Sequence, residues 1–390
     1  MFYFSVLVFS VACTVITIKT LVGYSDLRFG WKALISGLVI AGWFAPLYIG
    51  FLRNFNLNSF IFDLISFIGY TLFGFMFLLL VLLLFRDVLW YAFYGVAKLL
   101  GYASWNINPK NISVLAYANL AVVGLAGALT WWALYAGTKI PAVRELTIYT
   151  PLVTRDWRIV QLSDLHVTRS TPLWRVNKVV EKINSLQPDM VFMNGDIIDD
   201  KMPHIQPQID ALARIETTKG VWSVMGNHEF YNGINAWDYK FSELGFHTLF
   251  NRGELIKETN IFVSGIPDLT TAQSHPTFNI HFPQALQGSS RENFRILLSH
   301  NPQVADNLTS SAYNLQLSGH THGGQIFPFH LLVKKANNYL SGLYKVNGFD
   351  LYVSNGAGTW GPNMRLFAPS ELTVINLRPV EPAEINPLQK

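Results

Sequence analysis

Cysteine is all but missing from this chain: Cys13 is the single one among 390 residues, so no disulfide can form within one chain. Histidine is absent from the first 138 residues, and all ten histidines lie from His166 onward. Charge is sparse in that same stretch. No basic run interleaved with aromatics occurs anywhere, so the net charge of +4 gives no footing for nucleic-acid binding. No internal repeat or low-complexity tract is present. The mean hydropathy of +0.26 therefore averages a membrane-like part and an ordinary soluble part.

What fills the first part is long apolar runs: residues 2–22, 33–52, 60–85 and 113–135. About 20 apolar residues, rising about 1.5 Å each, cross the hydrocarbon core of a bilayer. One such run fits a buried soluble helix, but four in succession read as a four-helix transmembrane region over residues 1–138. The fourth is rich in small residues (Ala121, Gly124, Ala126, Gly127, Ala128), as membrane helix contacts prefer. The first lacks the basic start of a cleavable signal. Residues 90–102, aromatic with Lys98 as their only charge, fit either an interfacial helix or a continuation of the third span. Basic residues in short loops set orientation. Lys19, Arg28 and Lys32 mark the first loop and Arg86, Lys98 and Lys110 the third, against Arg53 alone in the second. The first and third loops are thus expected in the cytoplasm. An even number of spans then places the C-terminal domain on the extracytoplasmic side of a plasma or inner membrane, with Lys139 and Arg144 arguing mildly against.

Past Pro141, short apolar runs alternate with polar segments containing Gly and Pro. Strands are expected at residues 157–162, 190–193, 221–224, 261–264, 295–298, 313–317, 351–353 and 372–377, with helices at 175–186 and 209–215. Strands alternating with helices, then a strand-rich part, describe a layered α/β domain over 139–380. Residues 381–390, proline-containing and polar, read as a loose tail.

Five clusters of metal-type ligands follow strand-like runs: Asp164-Leu165-His166, Gly195-Asp196, Gly226-Asn227-His228-Glu229, His300, and Gly319-His320-Thr321-His322-Gly323-Gly324. His320 and His322 are spaced i, i+2, so on a strand both rings would share one face. Carboxylate, imidazole and amide oxygen together suit Mn, Fe or Zn rather than a thiolate site. The donors exceed what one ion needs, which argues for two divalent metal ions about 3.5–4 Å apart that clamp a phosphoryl group and activate water.

These residues resemble the calcineurin-like metallophosphoesterase family, whose pattern runs Asp-x-His, Gly-Asp, Gly-Asn-His-Asp/Glu, His, Gly-His-x-His. Every element is present in order between Arg158 and Gly324. The resemblance implies a sandwich of two sheets flanked by helices, with metals at strand ends. It implies that Asp164, His166 and His322 hold one ion, that Asn227, His300 and His320 hold the other, and that Asp196 bridges them. His228 would then act on the phosphoryl oxygens or the leaving alkoxide rather than ligate. The run Gly-His-Thr-His-Gly-Gly-Gln-Ile at residues 319–326 is similar to that of a membrane-tethered bacterial subgroup, as is the closing stretch from Arg365 to Leu377.

Beside these, Asp199 and Asp200 read as solvated or capping residues. Glu229 either orients its histidine neighbour or is a satisfied polar group. His204, His247, His275, His281 and His330 match no motif, and a surface or satisfied-core role is expected. Residues 327–344 form an aromatic and apolar insert with Lys334 and Lys335 inside it. It reads as a cap on its own domain or as a lip facing membrane lipids, and the apolar spans favour the lip. The expected activity is hydrolysis of a phosphodiester or pyrophosphate bond in a phosphoester substrate, lipid-linked by preference, with no nucleic acid and no obligate protein partner. The alternatives are soluble phosphoesters as substrates, a scaffold that binds phosphoesters without turnover, and a regulated transporter. The scaffold calls for a lost ligand and none is lost, whereas transport calls for more polar groups than the spans carry.

Overall fold

The computed structural model describes residues 2–23, 25–53, 55 and 59–380; the expected loose tail lies outside the described residues. The chain divides into two compact units, Met1–Thr138 with Trp360–Leu366, and Lys139–Thr359 with Phe367–Lys390.

The first unit is helical: α1 (Phe2–Ile18), α2 (Phe29–Trp43), α3 (Ala45–Leu52), α4 (Ser59–Leu99) and α5 (Ile112–Thr138). Among the described residues, three helical stretches are long and apolar enough to cross a membrane, and the count reaches four if α2 and α3, bent by 59°, are taken as one span. Pro46 explains the bend, because it sits in the first turn of α3, where a missing N–H is harmless but the preceding helix cannot run through. Residues 90–99 are settled as a continuation of the third run, since α4 is unbroken for 41 residues. At about 1.5 Å per residue it is roughly 60 Å long, about twice the thickness of a bilayer's hydrocarbon core. Trp43, Leu79, Leu83 and Ala126 are among the buried residues of the bundle. Trp43 Nε1 donates to Thr17 Oγ1 at 3.1 Å, giving the indole N–H a partner where water is scarce. Arg86 pairs with Asp87 at 2.7 Å and donates to Asn119 of α5. The segment Trp360–Leu366 joins this unit through the Arg365 N–H, which donates to Ala133 O at 2.8 Å.

Among its described residues the second unit holds twelve strands: β1 (Ala142–Thr150), β2 (Trp157–Leu162), β3 (Met190–Asn194), β4 (Val221–Val224), β5 (His247–Thr248), β6 (Arg252–Leu255), β7 (Ile261–Gly265), β8 (Phe294–Leu298), β9 (Leu315–Ser318), β10 (Gly342–Val346), β11 (Phe349–Val353) and β12 (Glu371–Pro379). They form two six-stranded sheets, ordered β1-β12-β2-β3-β4-β5 and β10-β11-β9-β8-β7-β6. Within them β2, β3, β4 and β5 are parallel, as are β7, β8, β9 and β11. Alternation along each strand builds the layers. Ile159, Phe192, Trp222, Ile296 and Leu317 meet between the sheets. Their neighbours Val160, Leu162, Val191 and Met193 pack outward on Val176, Val179 and Ile183 of α6 (Leu173–Ser185) and on Ile205 and Ile209 of α7 (Met202–Asp210). Because both faces are covered, the central strands read as nearly continuous apolar runs. The helix expected at 209–215 instead begins at Met202 and gives way at Ala211 to a tighter turn. Pro203 in its first turn favours that earlier start.

Candidate metal centre

All the expected ligands leave strands at the C-terminal edges of the two sheets. Asp164 and His166 follow β2, Asp196 follows β3, and Asn227 and His228 follow β4 in one sheet, while His300 follows β8 and His320 and His322 follow β9 in the other. Two glycines let these loops close up. A Cβ on Gly319 would lie 1.9 Å from Ser163 Oγ and 2.2 Å from Asp164 Oδ2; one on Gly226 would lie 2.2 Å from Asp196 Oδ1.

Donor atoms gather in three overlapping groups, each with its atoms within 4.8 Å of one another: Asp164, His166 and His322; His166, Asp196 and His228; Asp196, His300 and His320. His166 Nε2 stands 3.0 Å from His322 Nε2, and His320 Nδ1 stands 3.2 Å from His300 Nε2. Asp196 Oδ2 lies 3.1 Å from His300 Nε2 and 3.7 Å from His166 Nε2. Asn227 Oδ1 is buried without a hydrogen-bond partner among the described residues. Imidazole nitrogens turned toward each other, flanked by carboxylates and an orphaned amide oxygen, are what a divalent cation satisfies at one stroke. The donor set therefore fits metal.

The expectation that His320 and His322 share a strand face does not hold. Both lie past the end of β9 in left-handed backbone, φ 72° and 52°, and their rings part, one to His300 and the other to His166. Asp164, His166 and Asp196 also have positive φ. Such conformations cost on the order of 1–3 kcal/mol each and persist only where the surroundings enforce them.

The surroundings are specific. Glu229 is fully buried at the start of α8 (Asn227–Tyr231), and its carboxylate accepts from the backbone N–H groups of Asp196, Ile197, Ile198 and Gly226 at 2.7–3.1 Å. It holds the Asp196 loop. The reading of Asp199 and Asp200 as solvated or capping residues is corrected, because both are buried and paired. Asp199 Oδ1 lies 2.8 Å from His228 Nδ1, and Asp200 takes a two-pronged bond from Arg169 at 2.8 and 3.1 Å as well as contacting His204 at 2.8 Å. The loop after β3 folds back to pair Val167 with Ile198, an arrangement that residue types alone do not reveal. His247 pairs with Glu254 at 3.3 Å, His275 packs on Phe230 and His330 stacks on Phe327; His281 donates its backbone N–H to Asn251. None of these four, nor His204, belongs to the donor groups.

Charge in the centre is strongly redistributed. Burial opposes ionisation of Asp196, yet His300, His228 and His166 hold its carboxyl well below the usual range. Burial pushes Asp164 up to about 6. Burial also disfavours the His228 cation, but Asp196 and Asp199 outweigh it and raise the imidazole to about 9. His228 thus keeps its proton at neutral pH.

The sequence model of the calcineurin-like phosphoesterase family matches residues 158–324, the stretch that carries every one of these donors. A metallophosphoesterase of Helicobacter pylori is 37% identical over 64% of this chain and 67% of its own length. The metallophosphoesterase YkuE of Bacillus subtilis is 32% identical over 65% of this chain and 93% of its own. A transmembrane protein with metallophosphoesterase domain from Danio rerio is 29% identical over 71% of this chain and 64% of its own. The chain belongs to the calcineurin-like metallophosphoesterase family, a family of phosphoester hydrolases. With its apolar helices and such transmembrane relatives, it points to a membrane protein.

Proposed function

We propose that this chain is a membrane-anchored phosphoesterase that works with two divalent cations on the phosphodiester or pyrophosphate bonds of lipid-linked substrates, at the extracytoplasmic face. The observation that carries the reading is Asp196, whose carboxylate faces donors of both histidine groups. Asp164, His166 and His322 would hold one cation, Asn227, His300 and His320 the other, with Asp196 between them. Mn, Zn and Fe all suit this donor set. Bound there, such cations would draw charge from the phosphoryl oxygens and would bring the ionisation of water toward neutral pH.

The remaining work falls to side chains. Asp199 engages Nδ1 of His228, so Nε2, 4.0 Å from Asp196 Oδ2, faces the donor groups. From there His228 donates to a phosphoryl oxygen or protonates the leaving alkoxide. A lipid substrate is supported by the segment that directly follows the ligands. Phe327, Phe329, Leu331 and Leu332 are exposed, Phe367 packs edge-on against Phe327 at 5.7 Å, and Lys334 and Lys335 lie in the last turn of the helix α9 (His330–Asn337). Exposed apolar groups beside lysines suit acyl chains under an anionic headgroup.

The test is to strip the full chain with chelator, restore Mn²⁺, and assay bis-p-nitrophenyl phosphate, its monoester, and phospholipid diesters in mixed micelles. Metal-dependent diester turnover, lost in Asp196→Asn and His228→Ala and faster on lipid, is the expected result. A chain that binds Mn²⁺ yet leaves every ester intact would sink the hydrolase reading in favour of phosphoester binding alone.

A further inference from the structure

Tyr231 ends α8, the short helix that opens on Asn227 and His228, and it belongs neither to the donor groups nor to the pair of His228 with Asp199. Burial falls away along the helix. Asn227, His228 and Glu229 are buried, Phe230 is half-buried, and Tyr231 is 65% exposed. Tyr231 follows His228 by three positions and Asn227 by four, the two spacings that bring side chains onto one face of a helix a turn apart. That face therefore starts among the donors and ends in solvent.

Ring contacts follow the same line. Tyr231 meets His228 with centroids 5.6 Å apart and planes at 62°, and His228 meets His166 edge-on at 4.6 Å and 89°. The helix is held from its other side. Phe230 packs against His275 at 4.9 Å and against Phe278 at 5.0 Å, and Phe278 packs against Phe250 at 5.5 Å. Asn232 Nδ2 donates to His228 O at 2.9 Å and ties down the helix end. The Tyr231 ring is thus fixed beside His228 on a clamped helix.

Asp199 engages Nδ1 of His228, so Nε2 marks the side on which a phosphoryl group sits. The organic group of an ester has to extend from there away from the buried donors, toward solvent. An exposed ring packed on His228 stands beside that path. A tyrosine suits the place, because its body is apolar while its hydroxyl tolerates water.

We propose that Tyr231 is a specificity-determining residue whose ring packs against the organic group of the phosphoester. This rests on the hydrolase reading. In the test the full chain in detergent, loaded with Mn²⁺, is assayed on bis-p-nitrophenyl phosphate as wild type, Tyr231→Phe and Tyr231→Ala. Inorganic phosphate, which has no organic group, serves as the competing inhibitor. Tyr231→Ala is expected to raise KM about tenfold, the scale of one aromatic contact, with kcat, the phosphate inhibition constant and Mn²⁺ affinity each within about twofold of wild type. Tyr231→Phe keeps the ring and is expected to keep the wild-type KM. An unchanged KM in Tyr231→Ala overturns the proposal. So does a parallel loss of phosphate inhibition and Mn²⁺ affinity, which would make Tyr231 a mere support for Asn227 and His228. A Tyr231→Phe variant as impaired as Tyr231→Ala also overturns it, because the hydroxyl and not the ring would then carry the effect. A wild type that binds Mn²⁺ and leaves the ester intact overturns the hydrolase reading, and this proposal with it.

Discussion

Asp199 shows what a single side chain contributes to this centre. It stands 2.8 Å from His228 Nδ1, and its charge helps hold the His228 proton well into the alkaline range. Removing that charge lowers the His228 pKa, so the proton is lost at lower pH. Asp199→Asn is therefore expected to cut kcat by about 10- to 100-fold, a part of the roughly 100- to 10,000-fold that general acid catalysis contributes. It should also move the alkaline limb of the kcat/KM profile toward acid pH, with Mn²⁺ content unchanged. A profile that keeps its alkaline limb would show that Asp199 does not act through His228. The donors themselves were legible, because Asp-x-His, Gly-Asp, Gly-Asn-His and Gly-His-x-His carry ligand chemistry in their residue types. Asp199 was not. Along the sequence, a carboxylate folded back onto an imidazole looks the same as one in water. The left-handed backbone at His320 and His322, which sends their rings to different donor groups, likewise leaves no trace in residue type.

At the scale of elements, the strands that lie between two apolar layers were the readable ones. β2, β3, β4, β8 and β9 are buried on both faces apart from single positions such as Arg158, and they announce themselves as apolar runs. β1, β5, β6 and β10 were missed. They are sheet edges with solvent on one side, and they carry Arg144, Glu145 and Lys345, the charges that keep exposed edges from pairing with other chains. The helix α9 is a different matter, since none of its residues is buried. If its apolar side meets lipid, Leu331→Glu with Leu332→Glu should slow hydrolysis of a phospholipid diester by about tenfold or more, an anionic face being repelled by anionic lipid. Turnover of bis-p-nitrophenyl phosphate should stay within about twofold, because α9 holds no donor. Equal losses on both substrates would remove the lipid argument.

For the whole molecule, the division into an apolar helical part and an α/β part was visible from where histidine and charge begin. The number of crossings was less so, since a proline bend makes one apolar run into two helices. Sidedness follows from that number. Four crossings with Arg28, Lys32, Arg86 and Lys110 inside put both termini outside. Protease added to intact spheroplasts should then remove the catalytic part, and inverted vesicles should protect it; the reverse pattern would put the domain in the cytoplasm and require either an odd number of crossings or the opposite orientation. The central claim, that Asp196 stands between two cations, is tested most directly by anomalous diffraction at the manganese edge from crystals of the full chain soaked in Mn²⁺. The account predicts two peaks, one among Asp164, His166 and His322, the other among Asn227, His300 and His320, with Asp196 touching both. A single peak, or a pair that leaves Asp196 out, would contradict it.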